Sequence, residues 1–135
     1  LWFDDTFQVP HSRYGYIDES DYASVNDINI LATSPEAGVY LAASKNKRQV
    51  YLTGHPEYDT STLHEEYTRD IENNTDAKIP TNYYKHNDKT KEPVGSWRSH
   101  GSLLFTNWLN YYVYQITPYQ LDSSNIKQIK PEKNP

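Results

Sequence analysis

Between Asn29 and Thr53, three short runs of strand-forming residues follow one another closely, and the last feeds directly into a bend rich in chemistry. Asn29-Ile30-Leu31-Ala32-Thr33 ends at Ser34-Pro35. Gly38-Val39-Tyr40-Leu41-Ala42-Ala43 ends in the polar turn Ser44–Arg48, and Gln49–Thr53 completes the set. Apolar runs joined by a short polar turn read as a hairpin. The bend that follows, Gly54-His55-Pro56-Glu57, places a histidine and a glutamate two positions apart. Extended spacing of two puts both side chains on one face. There the carboxylate accepts a hydrogen bond from one ring nitrogen and leaves the other to act as a base. An isolated His-x-Glu is also common as a strand-end histidine with a chance acid nearby. Gly54 eases the sharp turn and Pro56 fixes it, which favours the pair. A nucleophile would complete a triad, and the sequence contains no cysteine.

The rest of the chain is organised around that bend. Residues 1–27 show no clear period and include the acidic stretch Asp18-Glu19-Ser20-Asp21. After the bend, Asp59 and Thr60 are N-cap candidates, and Leu63, Tyr67 and Ile71 recur as one helical stripe. Glu65, Glu66, Asp70 and Glu72 make its outer face acidic, with Arg69 as its one arginine. Arg69 reads either as a solvated ion pair with Glu65, Glu66 or Glu72, or as a two-point clamp on a substrate carboxylate. Residues 75–95 read as a loop, and a loop of that length is usually functional or docked. A strong helix follows, with Ser96 or Ser99 as candidate cap and Pro118 as its stop. Leu103, Leu104, Phe105, Trp108, Leu109, Tyr111, Tyr112, Val113 and Ile116 wrap most of its circumference, which predicts burial on more than one side.

Two polar clusters stand apart. His11-Ser12-Arg13-Tyr14 is expected in a loop, and one histidine without a second ligand at metal spacing makes a weak metal site. Trp97-Arg98-Ser99-His100-Gly101 sits at a helix start, either an anion seat or a packed helix entry. At 135 residues, 36% of them hydrophobic, the chain forms one domain at most. A net charge of -5 without a basic stripe argues against a nucleic-acid partner. No stretch approaches the ~20 apolar residues of a membrane span. The chain opens on Leu1 and holds no methionine, so it reads as a fragment or as the C-terminal product of a cut.

These motifs together resemble the homoserine O-acyltransferase family, the homoserine O-succinyltransferases and their acetyl-transferring relatives. The resemblance rests on Phe3-Asp4-Asp5-Thr6-Phe7 with Pro10-His11-Ser12-Arg13-Tyr14, on Ser34–Tyr40, on Thr53–Asp59, on Arg69-Asp70 and on the long block Trp97–Tyr119. It covers about residues 3–121. It implies an α/β fold, the C-terminal half of a class I glutamine-amidotransferase-like three-layer α/β/α architecture, over residues 1–121. Residues 122–135 are expected to be a polar, disordered tail. It implies a Cys-His-Glu triad moving an acyl group from acyl-CoA to the hydroxyl of homoserine by a ping-pong route, within sulfur amino-acid biosynthesis. His55 matches the catalytic histidine, Glu57 its partner, Arg69 the arginine that holds the amino acid, and Ser12 a substrate-site serine. The family's nucleophilic cysteine, its oxyanion-hole backbone, a substrate-site lysine and the residues that choose acetyl or succinyl belong to its N-terminal half.

The expected partners are therefore that N-terminal half, the small-molecule substrates and a second copy in a homodimer, with no nucleic acid and no membrane. No cofactor or metal is expected beyond acyl-CoA as co-substrate, and the expected location is the cytoplasm. A serine O-acetyltransferase of the same family, a glutamine-amidotransferase-like Cys-His-Glu hydrolase and an inactive proteolytic fragment remain the alternatives.

Overall fold

The computed structural model describes residues 2–15, 17–73 and 75–116. The elements are α1 (Glu19–Ala23), β1 (Ile28–Ser34), β2 (Gly38–Ser44), β3 (Val50–Leu52), α2 (Thr62–Glu72), a 3-10 turn at Lys85–Asn87 and α3 (Arg98–Trp108). The last helix continues through a π-helical turn, Leu109–Val113, into the single turn α4 (Tyr114–Ile116). The result is a small α/β unit. The expected boundary at 121, the Pro118 stop and the tail from 122 to 135 lie outside the described residues.

The three expected strands form one antiparallel sheet in the order β1-β2-β3. β1 alternates between half-buried and exposed positions, the mark of a strand with one covered face. Ile30 faces Ala42 and Ala32 faces Leu41, so Leu31 is an extra residue and β1 bulges there. β2 is the central strand and is buried along most of its length, with Val39, Tyr40, Ala42 and Ala43 all below 5% exposure. Beyond β3 the Thr53 N–H still donates to the Tyr40 carbonyl at 3.0 Å, so the ladder holds the chain to β2 up to the bend.

A second cluster gathers Leu63 of α2, Tyr83 and Tyr84 of the long loop, and Trp97 at the entry to α3, with Tyr58 packed against it. The 75–95 segment is thus docked by its two tyrosines. Tyr84 Oη lies 2.7 Å from His64 Nδ1, and the His64 N–H donates to Tyr83 Oη at 3.0 Å.

Three local readings are corrected. α1 arises within the stretch expected to be irregular, because Asp18 and Asp21 form a reciprocal capping box with two backbone N–H groups. Neither Asp59 nor Thr60 caps α2. Ser61 stands at that position in a helical conformation, and the Thr60 hydroxyl accepts from Arg98 Nη2 at 2.8 Å instead. Ser96 donates its hydroxyl to Gln8, Ser99 lies inside α3, and Trp97 occupies the capping position. α3 and its continuation bury Gly101 and Leu104, whereas Phe105, Trp108, Leu109, Tyr111, Tyr114 and Ile116 are exposed. Expected burial on several sides is not met among the described residues, where the helix meets the N-terminal loop through His100 and the bend through Gly101.

Candidate active site

The ladder ends at Thr53, whose hydroxyl donates to the Val39 carbonyl at 2.5 Å, and the backbone then turns. The His55 N–H donates to the Pro10 carbonyl at 2.8 Å, so the N-terminal loop runs directly beside the bend. Gly54 is required by that approach: a Cβ there would lie 2.9 Å from His11 Nε2 and 3.0 Å from the Pro10 carbonyl. Helix α3 also abuts the bend. A Cβ on Gly101 would stand 2.6 Å from the Pro56 carbonyl oxygen, so the helix can back the bend this closely only with glycine there.

Held in this way, His55 Nδ1 sits 2.9 Å from Glu57 Oε1. A carboxylate accepts only, so in the neutral ring the proton sits on Nδ1 and Nε2 has the lone pair. The His55 ring also lies flat on Tyr58, with centroids 4.2 Å apart and planes at 15°. The Tyr58 hydroxyl donates to Glu66 Oε1 at 2.9 Å, which ties the bend to α2.

His11 and Tyr40 flank the bend on the sheet side and meet edge to face. Burial, with help from the charge of Arg13 and then from His55, lowers the His11 pKa to about 4. His11 is therefore a neutral imidazole at neutral pH, and its Nδ1 has no hydrogen-bond partner among the described residues. Burial, and secondarily the Glu57 charge, pushes the Tyr40 phenol up to about 12.

Ser12 follows His11 on the same loop, and its hydroxyl makes no side-chain hydrogen bond among the described residues. Arg13 anchors the loop, donating to the carbonyls of Ala37 and Thr53. Arg69 lies one turn beyond Glu66 on α2. Its expected partners Glu65, Glu66 and Glu72 are not the ones it takes: Nε and Nη2 fork onto Asp70 Oδ1 at 3.1 and 3.0 Å. Its side chain stays 61% exposed, open to a ligand. The Trp97–Gly101 cluster is a packed helix entry: Trp97 Nε1 donates to the Tyr58 carbonyl at 2.9 Å, and His100 Nε2 lies 3.1 Å from Asp4 Oδ2. Among the described residues no three His, Asp or Glu side chains converge as a metal site, and no helix is long and apolar enough to cross a membrane.

A carboxylate-held imidazole on a strand-end bend is chemically able to take up a proton at its other ring nitrogen. Residues 2–119 match the homoserine O-succinyltransferase family. The chain is 59% identical over 120 residues to the homoserine O-succinyltransferase of Vibrio atlanticus, covering 89% of this chain and 38% of that protein. It is 58% identical over 126 residues to that of Tolumonas auensis, covering 93% of this chain and 40% of the relative. It is also 58% identical over 119 residues to that of Alteromonas mediterranea, 88% and 38% of the two chains. The chain belongs to the homoserine O-succinyltransferase family, and it spans about two-fifths of the length of these relatives.

Proposed function

We propose that this chain carries the base and the acceptor-binding residues of an acyltransferase that moves an acyl group from acyl-CoA to the side-chain hydroxyl of homoserine. The observation that carries this reading is the 2.9 Å His55–Glu57 pair on a bend fixed by the sheet, the Pro10 loop and α3, in a chain of this family. The relatives' names favour succinyl over acetyl as the transferred group. In the intact enzyme these residues form part of a class I glutamine-amidotransferase-like three-layer α/β/α fold. A cysteine from outside these 135 residues completes the triad, since none of them is a cysteine.

The proposed route has two half-reactions. The cysteine thiol gives its proton to His55 Nε2, and the thiolate attacks the thioester carbonyl. The carbon–sulfur bond to coenzyme A breaks, and the imidazolium returns a proton to that sulfur. The homoserine hydroxyl then gives its proton to Nε2 and attacks the acyl-cysteine, whose sulfur leaves and is reprotonated. Glu57 holds the tautomer and stabilises the imidazolium. Arg69 meets the acceptor's carboxylate, with Ser12 beside it, which supplies proximity rather than chemistry.

The test is a chimaera in which this chain replaces the matching 120 residues of the Vibrio atlanticus protein. It is expected to release coenzyme A from succinyl-CoA and to form O-succinylhomoserine. Ammonia released from glutamine, without acyl transfer, would assign the site to a hydrolase instead.

A further inference from the structure

The bend holds one more aromatic side chain than a His-Glu pair needs. Tyr58 lies face to face with His55, centroids 4.2 Å apart and planes at 15°. Its position is fixed from three directions. The hydroxyl donates to Glu66 on α2 at 2.9 Å, the carbonyl accepts from Trp97 Nε1 at 2.9 Å, and the N–H donates back to the His55 carbonyl at 3.3 Å. The ring also rests on the buried cluster of Leu63, Tyr83, Tyr84 and Trp97. Burial and the Glu66 bond push the phenol up to about 12, so it remains a neutral donor whenever His55 works.

A ring held by one hydrogen bond at Nδ1 can still rock out of the plane of its partner. We propose that Tyr58 is a positioning residue, a fixed aromatic platform that keeps the His55 ring in the plane where Glu57 holds Nδ1 and Nε2 faces the reacting groups. The platform matters most in a two-step transfer, because Nε2 must serve a thiol and then an alcohol from one orientation. A face-on aromatic ring also favours the imidazolium formed in each step. The inference rests on the reading of His55 as the base, although the stack itself does not.

The chimaera with ring-labelled histidine tests both parts. In solution the His55 ring protons are expected to resonate upfield, shielded by the Tyr58 ring, with the signals assigned by their loss in His55→Gln. Tyr58→Leu fills the space without a π face and should remove the shielding. It should lower kcat about two- to tenfold while both KM values change little, the scale of one aromatic pair. Tyr58→Phe keeps the ring and should retain both the shielding and kcat to within about twofold. Equal kcat losses in Phe and Leu variants would give the role to the Glu66 bond and overturn the platform, as would unshielded His55 signals in the parent. An inactive parent with shielded His55 signals would sink the acyl-transfer reading and leave the stack supported.

Discussion

The His55–Glu57 contact is made on a half-open surface, with the two side chains 33% and 55% exposed, so it adds little to stability. Its value is chemical: it settles which ring nitrogen carries the proton. In the chimaera, His55→Ala should lower kcat by about a hundredfold or more, because it removes the proposed general base. Glu57→Gln should leave a weak activity above that of His55→Ala, since the base remains but its tautomer is no longer enforced. Near-normal turnover by His55→Ala would remove the assignment. Arg69→Lys should spare acyl-enzyme formation and slow its discharge to homoserine by roughly 1.5–3 kcal/mol, the scale of a hydrogen bond to a charged group. Normal discharge with slow acylation, measured as separate half-reactions, would place Arg69 at the donor side. The pair was legible in sequence because both residues lie on one bend. Tyr58, three residues after His55, was not, because its role depends on Glu66 and Trp97 holding its ring in place. His11 was legible only as a loop residue, because its neutral state comes from burial that tertiary packing creates. The sign of the resulting pH effect follows from the lowered pKa: the folded state resists protonation that the unfolded state accepts below pH 6.5. Stability should therefore be fully present above that pH and fall as pH drops towards about 4, by at most about 1.4 kcal/mol per pH unit for one proton. Urea unfolding of the chimaera beside its His11→Gln variant should show that component missing from the variant.

At the scale of elements, the strands and helices were the most readable part of the chain. β1 and β2 cover the expected runs Asn29–Thr33 and Gly38–Ala43 and extend past them, β1 by a residue at each end and β2 by Ser44; β3 falls within its run, and α2 covers the Leu63-Tyr67-Ile71 stripe. The cap candidates Thr60 and Ser96 do not cap because each has a partner from a distant segment, and those contacts outcompete a local cap. A close contact between elements was also invisible: α3 abuts the His55 bend at Gly101, where a Cβ would meet the Pro56 carbonyl oxygen at 2.6 Å. That neighbour is backbone and cannot swing aside. Gly101→Ala should therefore push Pro56, and with it His55 and Glu57, away from α3. Overpacking of this kind typically costs about 1–3 kcal/mol, and here activity should fall further than the thermal midpoint suggests. A Gly101→Ala chimaera with unaltered kcat would show that α3 does not brace the bend. Alanine normally favours a helix over glycine, so a destabilised variant would itself identify the close approach as the stronger effect.

At the scale of the molecule, the described residues leave a large apolar surface without cover. Phe105, Trp108, Leu109, Tyr111, Tyr114 and Ile116 stand exposed along α3 and its continuation, and Leu31 and Leu52 stand exposed on the sheet. Exposed apolar side chains concentrated on one element are the kind of surface an interface uses. The relatives offer a source for what covers it, since three-fifths of their length lies outside the match to this chain. The sequence reading of that helix as buried on several sides is not met by the described residues. The same extra length is where the proposed nucleophile must lie. Two deficits, one of packing and one of chemistry, should therefore be repaired by one addition. The purified chain alone should bind a hydrophobic fluorescent dye strongly and release no coenzyme A from succinyl-CoA. The chimaera should bind the dye weakly and release coenzyme A steadily. Replacing the cysteine proposed as the chimaera's nucleophile by alanine should abolish transfer and leave dye binding weak, because on that proposal it supplies chemistry and not cover. Strong dye binding by an active chimaera would show that the exposed face of α3 is not where the rest of the protein packs. Coenzyme A release by the chain alone would show that these residues contain their own nucleophile.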